Sequence, residues 1–204
     1  AIYATHTNLK LINATISGNT AGSGGGLYAQ HGTTTVVDSV ISDNQTTFGF
    51  GGGIYNRDGG LYIYDSLITG NESHIDGGGL STWRGTVYIS DTTIADNYAG
   101  NSGGGIYQAV GGGGFNSTIS LLRTTISENT AVGNGGGIHF HRGASLSITD
   151  SSVRDNKAIL SGGGIYALFS SANDGITMTG STLSGNESGW RGGGAYLMGG
   201  GAEF

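Results

Sequence analysis

Apolar residues recur at every second position for a few residues and then stop at a corner, and this short alternation returns at long, nearly constant intervals. Counting back from a recurrent asparagine, positions eight and ten before it read Leu11 and Leu9, Ile63 and Leu61, Ile89 and Val87, Leu121 and Ile119, Ile148 and Leu146, and Met178 and Ile176. Val36 and Thr34 complete the set with one lapse. The intervening residue is Lys10, Thr35, Tyr62, Tyr88, Ser120, Ser147 or Thr177. Such alternation predicts a short strand with one buried face. A second strand is predicted after each triple glycine, beginning at Leu27, Ile54, Leu80, Ile106, Ile138, Ile165 and Ala195.

The recurrent asparagines are Asn19, Asn44, Asn71, Asn97, Asn129, Asn156 and Asn186, each three residues after an aliphatic residue. The third glycine of a triplet follows each of them by 7 to 9 residues. Six periods span 167 residues, about 28 each, which is the spacing of a solenoid. One such unit cannot close a core and buries its face only by stacking on copies in register, ~4.8 Å apart. The expectation is an all-β solenoid, a single parallel β-helix of about seven to eight coils covering residues 1–204 as one domain. The asparagines are expected to ladder their amides between coils and to tolerate left-handed backbone.

Composition narrows the class. Glycine supplies 43 of 204 residues while proline and cysteine are absent, which excludes collagen and disulfide-stapled folds. Absence of proline agrees with a chain that is mostly ladder. A net charge of -6 leaves no basic stripe for a phosphate backbone, so no nucleic-acid partner is expected. No apolar run is long enough for a transmembrane segment. The start at Ala1-Ile2-Tyr3 carries neither an initiator Met nor a signal peptide, and neither end shows an obvious cap. A segment of a longer chain, or end-to-end or side-by-side self-association, is expected.

The paired motifs Gly-Gly-Gly-(Ile or Leu)-Tyr and (Ile, Leu or Val)-x-x-Asn resemble the GGAI and FxxN motifs of polymorphic outer-membrane and related bacterial cell-surface repeat proteins. The resemblance covers nearly the whole chain and departs from the chlamydial pattern where Ile, Val or Leu replaces Phe. It implies a single-stranded right-handed parallel β-helix. It also implies an extracellular or cell-surface bacterial module, adhesin-like or structural, with no catalytic residues.

Candidate chemistry is sparse. Of a β-helix hydrolase's acid and base constellation, only Asn56-Arg57-Asp58 is present. Asp38, Asp65, Asp91 and Asp150 share one column with Asn13, Arg123 and Gly180; they suit either turn capping by the carboxylates or a Ca²⁺ site, and no other cofactor is expected. A second acidic set, Asp43, Asp96, Glu128 and Asp155, precedes the asparagine of four coils. His139 and His141 lie on one side of a strand, two ligands where zinc needs three or four. His6, His31 and His74 show no partner at ligand spacing.

The strongest candidate is an outward column on the strand after the glycines. It carries Tyr28, Tyr55 and Arg57, Trp83, Tyr107, His139 and His141, and Tyr166, with Arg84 and Arg142 beside it. Stacked rings can serve self-packing, or an exposed aromatic face can dock a protein or glycan partner. Extra length in the loops around Val110 to Ser117 and Phe169 to Asp174 points to the same edge. The expected function is a non-catalytic structural or adhesive module; a polysaccharide lyase or hydrolase and an ice-binding protein are the alternatives.

Overall fold

A computed structural model describes residues 1–109, 117–141, 144–169, 175–199 and 201–203. The chain winds as an all-β parallel solenoid of about seven turns, ~27 residues each. One turn runs through β1 (Ile2–Thr5), β2 (Leu9–Ile12), β3 (Thr15–Ser17) and β4 (Thr20–Ala21) before β5 (Leu27–Gln30) stacks on β1. Among the described residues, equivalent strands build four parallel sheets, two of eight strands and two of seven. Register is strict: Ile2, Leu27, Ile54, Leu80 and Ile106 pair in succession.

Four strands per turn replace the two expected from the alternation. One left-handed residue turns the chain after each second strand (Asp38, Asp65, Asp91, Arg123 and Asp150, φ 46 to 52°), and another after each third strand (Asp43, Asp96, Glu128 and Asp155, φ 54 to 58°). These corners cut one apolar run into two strands. Strands of two or three residues are too short to display a period of two.

The interior is one contiguous apolar cluster, with Leu27, Val36, Ile41, Ile63, Ile68, Ile94, Ile126 and Ile165 fully buried. Three polar ladders line its corners. In the first, Asn44 Oδ1 accepts the backbone N–H of Asn19 at 3.0 Å and its Nδ2 at 2.9 Å, and the pattern runs through every coil to Asn186. From Asn44 to Asn186 each Nδ2 also donates to the aliphatic carbonyl of the preceding coil, as from Asn97 to Ile68 at 3.1 Å and from Asn129 to Ile94 at 3.0 Å. A buried amide so arranged leaves no polar atom orphaned. The asparagines themselves are not left-handed; the residue before each takes that role.

The second ladder is one of hydroxyls. Ser39 Oγ accepts from Ala14 N–H and donates to Val37 O, and Ser66, Thr92, Thr124, Ser151 and Ser181 hold the equivalent places. The third binds the turn before the glycines: Asp76 Oδ1 accepts from Ser102 N–H at 2.9 Å, Ser102 Oγ from Asn134 N–H at 3.2 Å, and Asn134 Oδ1 from Ser161 N–H at 3.1 Å.

The triple glycine answers three separate constraints, shown at Gly103-Gly104-Gly105. Gly103 is left-handed at φ 68°, a Cβ on Gly104 would strike the carbonyl of Gly136, and a Cβ on Gly105 would lie 3.0 Å from Asn129 Nδ2. Any side chain there would break either the corner or the asparagine ladder.

Candidate functional site at the first corner of the coil

The expected exposed aromatic face is not an exposed face. Its rings stack along the rod at centroid distances of 5.0 Å (Tyr3 and Tyr28), 5.2 Å (Tyr28 and Tyr55), 5.0 Å (Tyr107 and His139), 4.8 Å (His139 and Tyr166) and 5.2 Å (Tyr166 and Tyr196). The coil spacing falls within the centroid separations at which aromatic rings pack, so each covers its neighbours. Tyr55 is 7%, Ser81 2% and His139 6% exposed, while Tyr28, Tyr107 and Tyr166 are half-buried. Phe50 adds a further lid 5.8 Å from Tyr55. Of the fourth-position residues, Arg57 is exposed and Trp83 and His141 are half-buried. Arg142, most of the first long loop (110–116) and most of the second (170–174) lie outside the described residues.

Burial also sets the protonation of this column. Desolvation, with a smaller push from the Asp76 charge, raises the Tyr107 hydroxyl to about 12, so it stays protonated. Desolvation first, and then His141, pulls His139 down to about 3. The Asn134 backbone opposes this without completing a hydrogen bond to either ring nitrogen. His139 is thus a neutral, buried member of the stack, 6.2 Å from His141.

The acidic column resolves as corner geometry. Asp38, Asp65, Asp91 and Asp150 are exposed and left-handed. The turn N–H groups expected to bind these carboxylates are taken instead by the hydroxyls of the following residues. Arg123 interrupts the column and grips Asp91 through two bonds of 2.6 and 2.8 Å, which holds that carboxyl below its ordinary range. In the second set, Arg154 pairs with Asp155 at 2.9 Å and with Glu128 at 3.8 Å. Among the described residues no group of three or more His, Asp or Glu is placed to hold a metal ion.

Where the first strand turns into the second, His6, His31, Asp58 and Arg84 form another left-handed column, φ 51 to 61°. Gly32, Gly59 and Gly85 follow them, and a Cβ on Gly59 would come 2.6 Å from the Gly32 carbonyl. With only hydrogen there, the corner keeps an open trough of about 630 Å³, lined by Thr33, Asp58, Tyr62, Arg84 and Thr86. Asp58 sits between Arg57 Nε at 3.4 Å and Arg84 Nη1 at 3.5 Å. Asn56 is buried and donates to Gly59 O at 3.0 Å, so Asn56-Arg57-Asp58 is a turn brace and an ion pair rather than a pair of acid and base carboxylates.

The trough therefore gathers Arg84 from the expected site with Asp58, which the sequence offered only within Asn56-Arg57-Asp58, and Tyr62, the middle of a strand. Beside it the structure also stacks His6 on His31, histidines that sequence spacing left unpaired. The signal for the column was present from the second coil on: His31, Asp58 and Arg84 are each the fifth residue after the third glycine, whereas no triple glycine precedes His6. A family model described as "Right handed beta helix region" matches residues 1–204. No curated protein and no solved structure matches the chain.

Proposed function

Because the chain belongs to the right-handed β-helix family over its whole length, we propose that it is a non-catalytic module of a bacterial surface or secreted protein that holds a glycan in the first-corner trough. The cell-surface assignment rests on the resemblance of the glycine and asparagine motifs to polymorphic outer-membrane proteins. The trough is the observation that carries the binding reading. Tyr62 offers a ring face for the apolar side of a sugar, and Thr33 and Thr86 offer hydroxyls. The Asp58 and Arg84 pair offers both acceptors and donors. Its volume suits one or two sugar rings, in the range of small-ligand pockets. Thr33, Tyr62 and Thr86 stand on laddered strands and Asp58 is engaged by Arg57 and Arg84, which lowers the ordering cost on binding.

The test is a pair of variants on a polysaccharide panel. Tyr62→Ala, and Arg84→Asn, which keeps a residue tolerant of left-handed backbone, should each weaken retention of a bound glycan about tenfold, equivalent to ~1.4 kcal/mol. Melting temperature should stay within a few degrees. Retention unchanged in both variants would remove the trough from the account.

A further inference from the structure

We propose that His6 and His31 form a two-imidazole site for a divalent transition-metal ion, with Cu²⁺ held more tightly than Zn²⁺ or Ni²⁺. The two residues occupy the same corner one coil apart and share a left-handed backbone, φ 53 and 51°. His6 N–H donates to Gln30 O at 2.8 Å and His31 N–H to Arg57 O at 3.0 Å, so the ladder continues through the corner and sends both side chains the same way. Their ring centroids are 4.6 Å apart with planes 41° from parallel. Closing both imidazoles on one ion requires side-chain rotation, which the exposed His6 and the half-buried His31 allow.

Each ring is also oriented from outside. His6 Nδ1 lies 2.9 Å from Thr5 Oγ1, and His31 Nε2 lies 3.3 Å from the Gln30 side-chain amide. With Thr5 accepting from Nδ1–H, and the Gln30 amide turned so that its oxygen accepts from Nε2–H, the lone pairs left for an ion are on His6 Nε2 and His31 Nδ1. Partners of this kind fix the tautomer of a ligating histidine. Asp58, next in the column, is engaged by Arg57 and Arg84, so water completes the coordination shell. Two nitrogens and water suit a tetragonal Cu²⁺ centre, and the intrinsic affinity order places Cu²⁺ above Ni²⁺ and Zn²⁺. The site goes beyond the glycan reading and uses none of the trough's lining side chains.

One equivalent of Cu²⁺ added to the intact chain near neutral pH should give an electron paramagnetic resonance spectrum split by two imidazole nitrogens. His6→Asn and His31→Asn keep residues that tolerate the left-handed corner. Each should leave at most one nitrogen and weaken binding beyond the about 10- to 100-fold that changes to outer-shell partners cost, while His74→Asn should leave the two-nitrogen spectrum and the affinity unchanged. Two-nitrogen coordination that survives His31→Asn, or is lost in His74→Asn, would overturn the proposal. A second measurement holds even where a variant unfolds: Zn²⁺ titrated into the unaltered protein should shift the ring-proton resonances of His6 and His31 together at one concentration, and a shift of other histidines alone would refute the site.

Discussion

At the residue scale, two buried titratable groups show how a polar column is both used and misused. Asp76 is nearly buried, and desolvation raises its carboxyl above the ordinary value although Ser102 N–H and the Asn101 amide pull it down. A folded state that binds this proton more readily than the unfolded chain is penalised at neutral pH, and the penalty fades as pH falls through the raised value toward the ordinary one. Asp76→Asn keeps the Oδ1 that accepts both bonds, as Asn134 does in the same column. The variant is expected to melt higher at neutral pH, with the gain shrinking on acidification.

His139 carries the opposite sign. The unfolded chain takes up its proton near 6.5 while the folded chain waits until about 3, so stability falls with pH across that interval. His139→Tyr, the residue of the same column in Tyr107 and Tyr166, should flatten the acid limb of a melting-temperature profile; an unchanged limb would show that the ring titrates in the folded state. The identity of this column was legible from alternation, but its burial was not. Alternation tells which side of a strand a residue faces, and only the coil spacing tells that rings on that side cover one another.

At the scale of the element, the ladders explain why the apolar pattern is strict at some places and lax at others. Ile94 and Ile126 face a dry interior, and truncating either to alanine should cost ~2 to 5 kcal/mol, read as a shift in denaturant midpoint. Asn97→Ala strikes harder than its size suggests. It removes the acceptor of Asn71 N–H and leaves that donor buried without a partner, worth ~1 to 3 kcal/mol, whereas Asn71 Nδ2 keeps its bonds to the carbonyls of Ile41 and Thr69. The first two strands of each coil were legible because one-sided burial leaves a period of two. The strands of the third and fourth sheets were not, being only two or three residues long, and the corners between the second and third strands were masked by varied residues, Asp38, Arg123 and Gly180 among them, that share only a backbone conformation. The hydroxyl ladder was half visible: Ser and Thr after each acidic residue were apparent, but which oxygen takes the turn N–H needed the geometry.

For the whole molecule, stability should behave as a stack in which each coil leans only on its neighbours. Asn44, Asn71, Asn97, Asn129 and Asn156 are 0 to 1% exposed, while Asn19 and Asn186 are half-buried. Amide exchange in this chain should therefore be slowest through the central coils and quicken toward both ends; uniform protection would mean one cooperative unit. The same rigid stack gives the trough its fixed walls, and with them the central claim that this solenoid binds a glycan without altering it. That claim is tested most directly by incubating the chain with a panel of polysaccharides, with and without Ca²⁺, and scoring retained polymer and newly formed chain ends in the same samples. Retention of a polymer with no new ends, insensitive to Ca²⁺, is the predicted result. New ends from any polymer would contradict it.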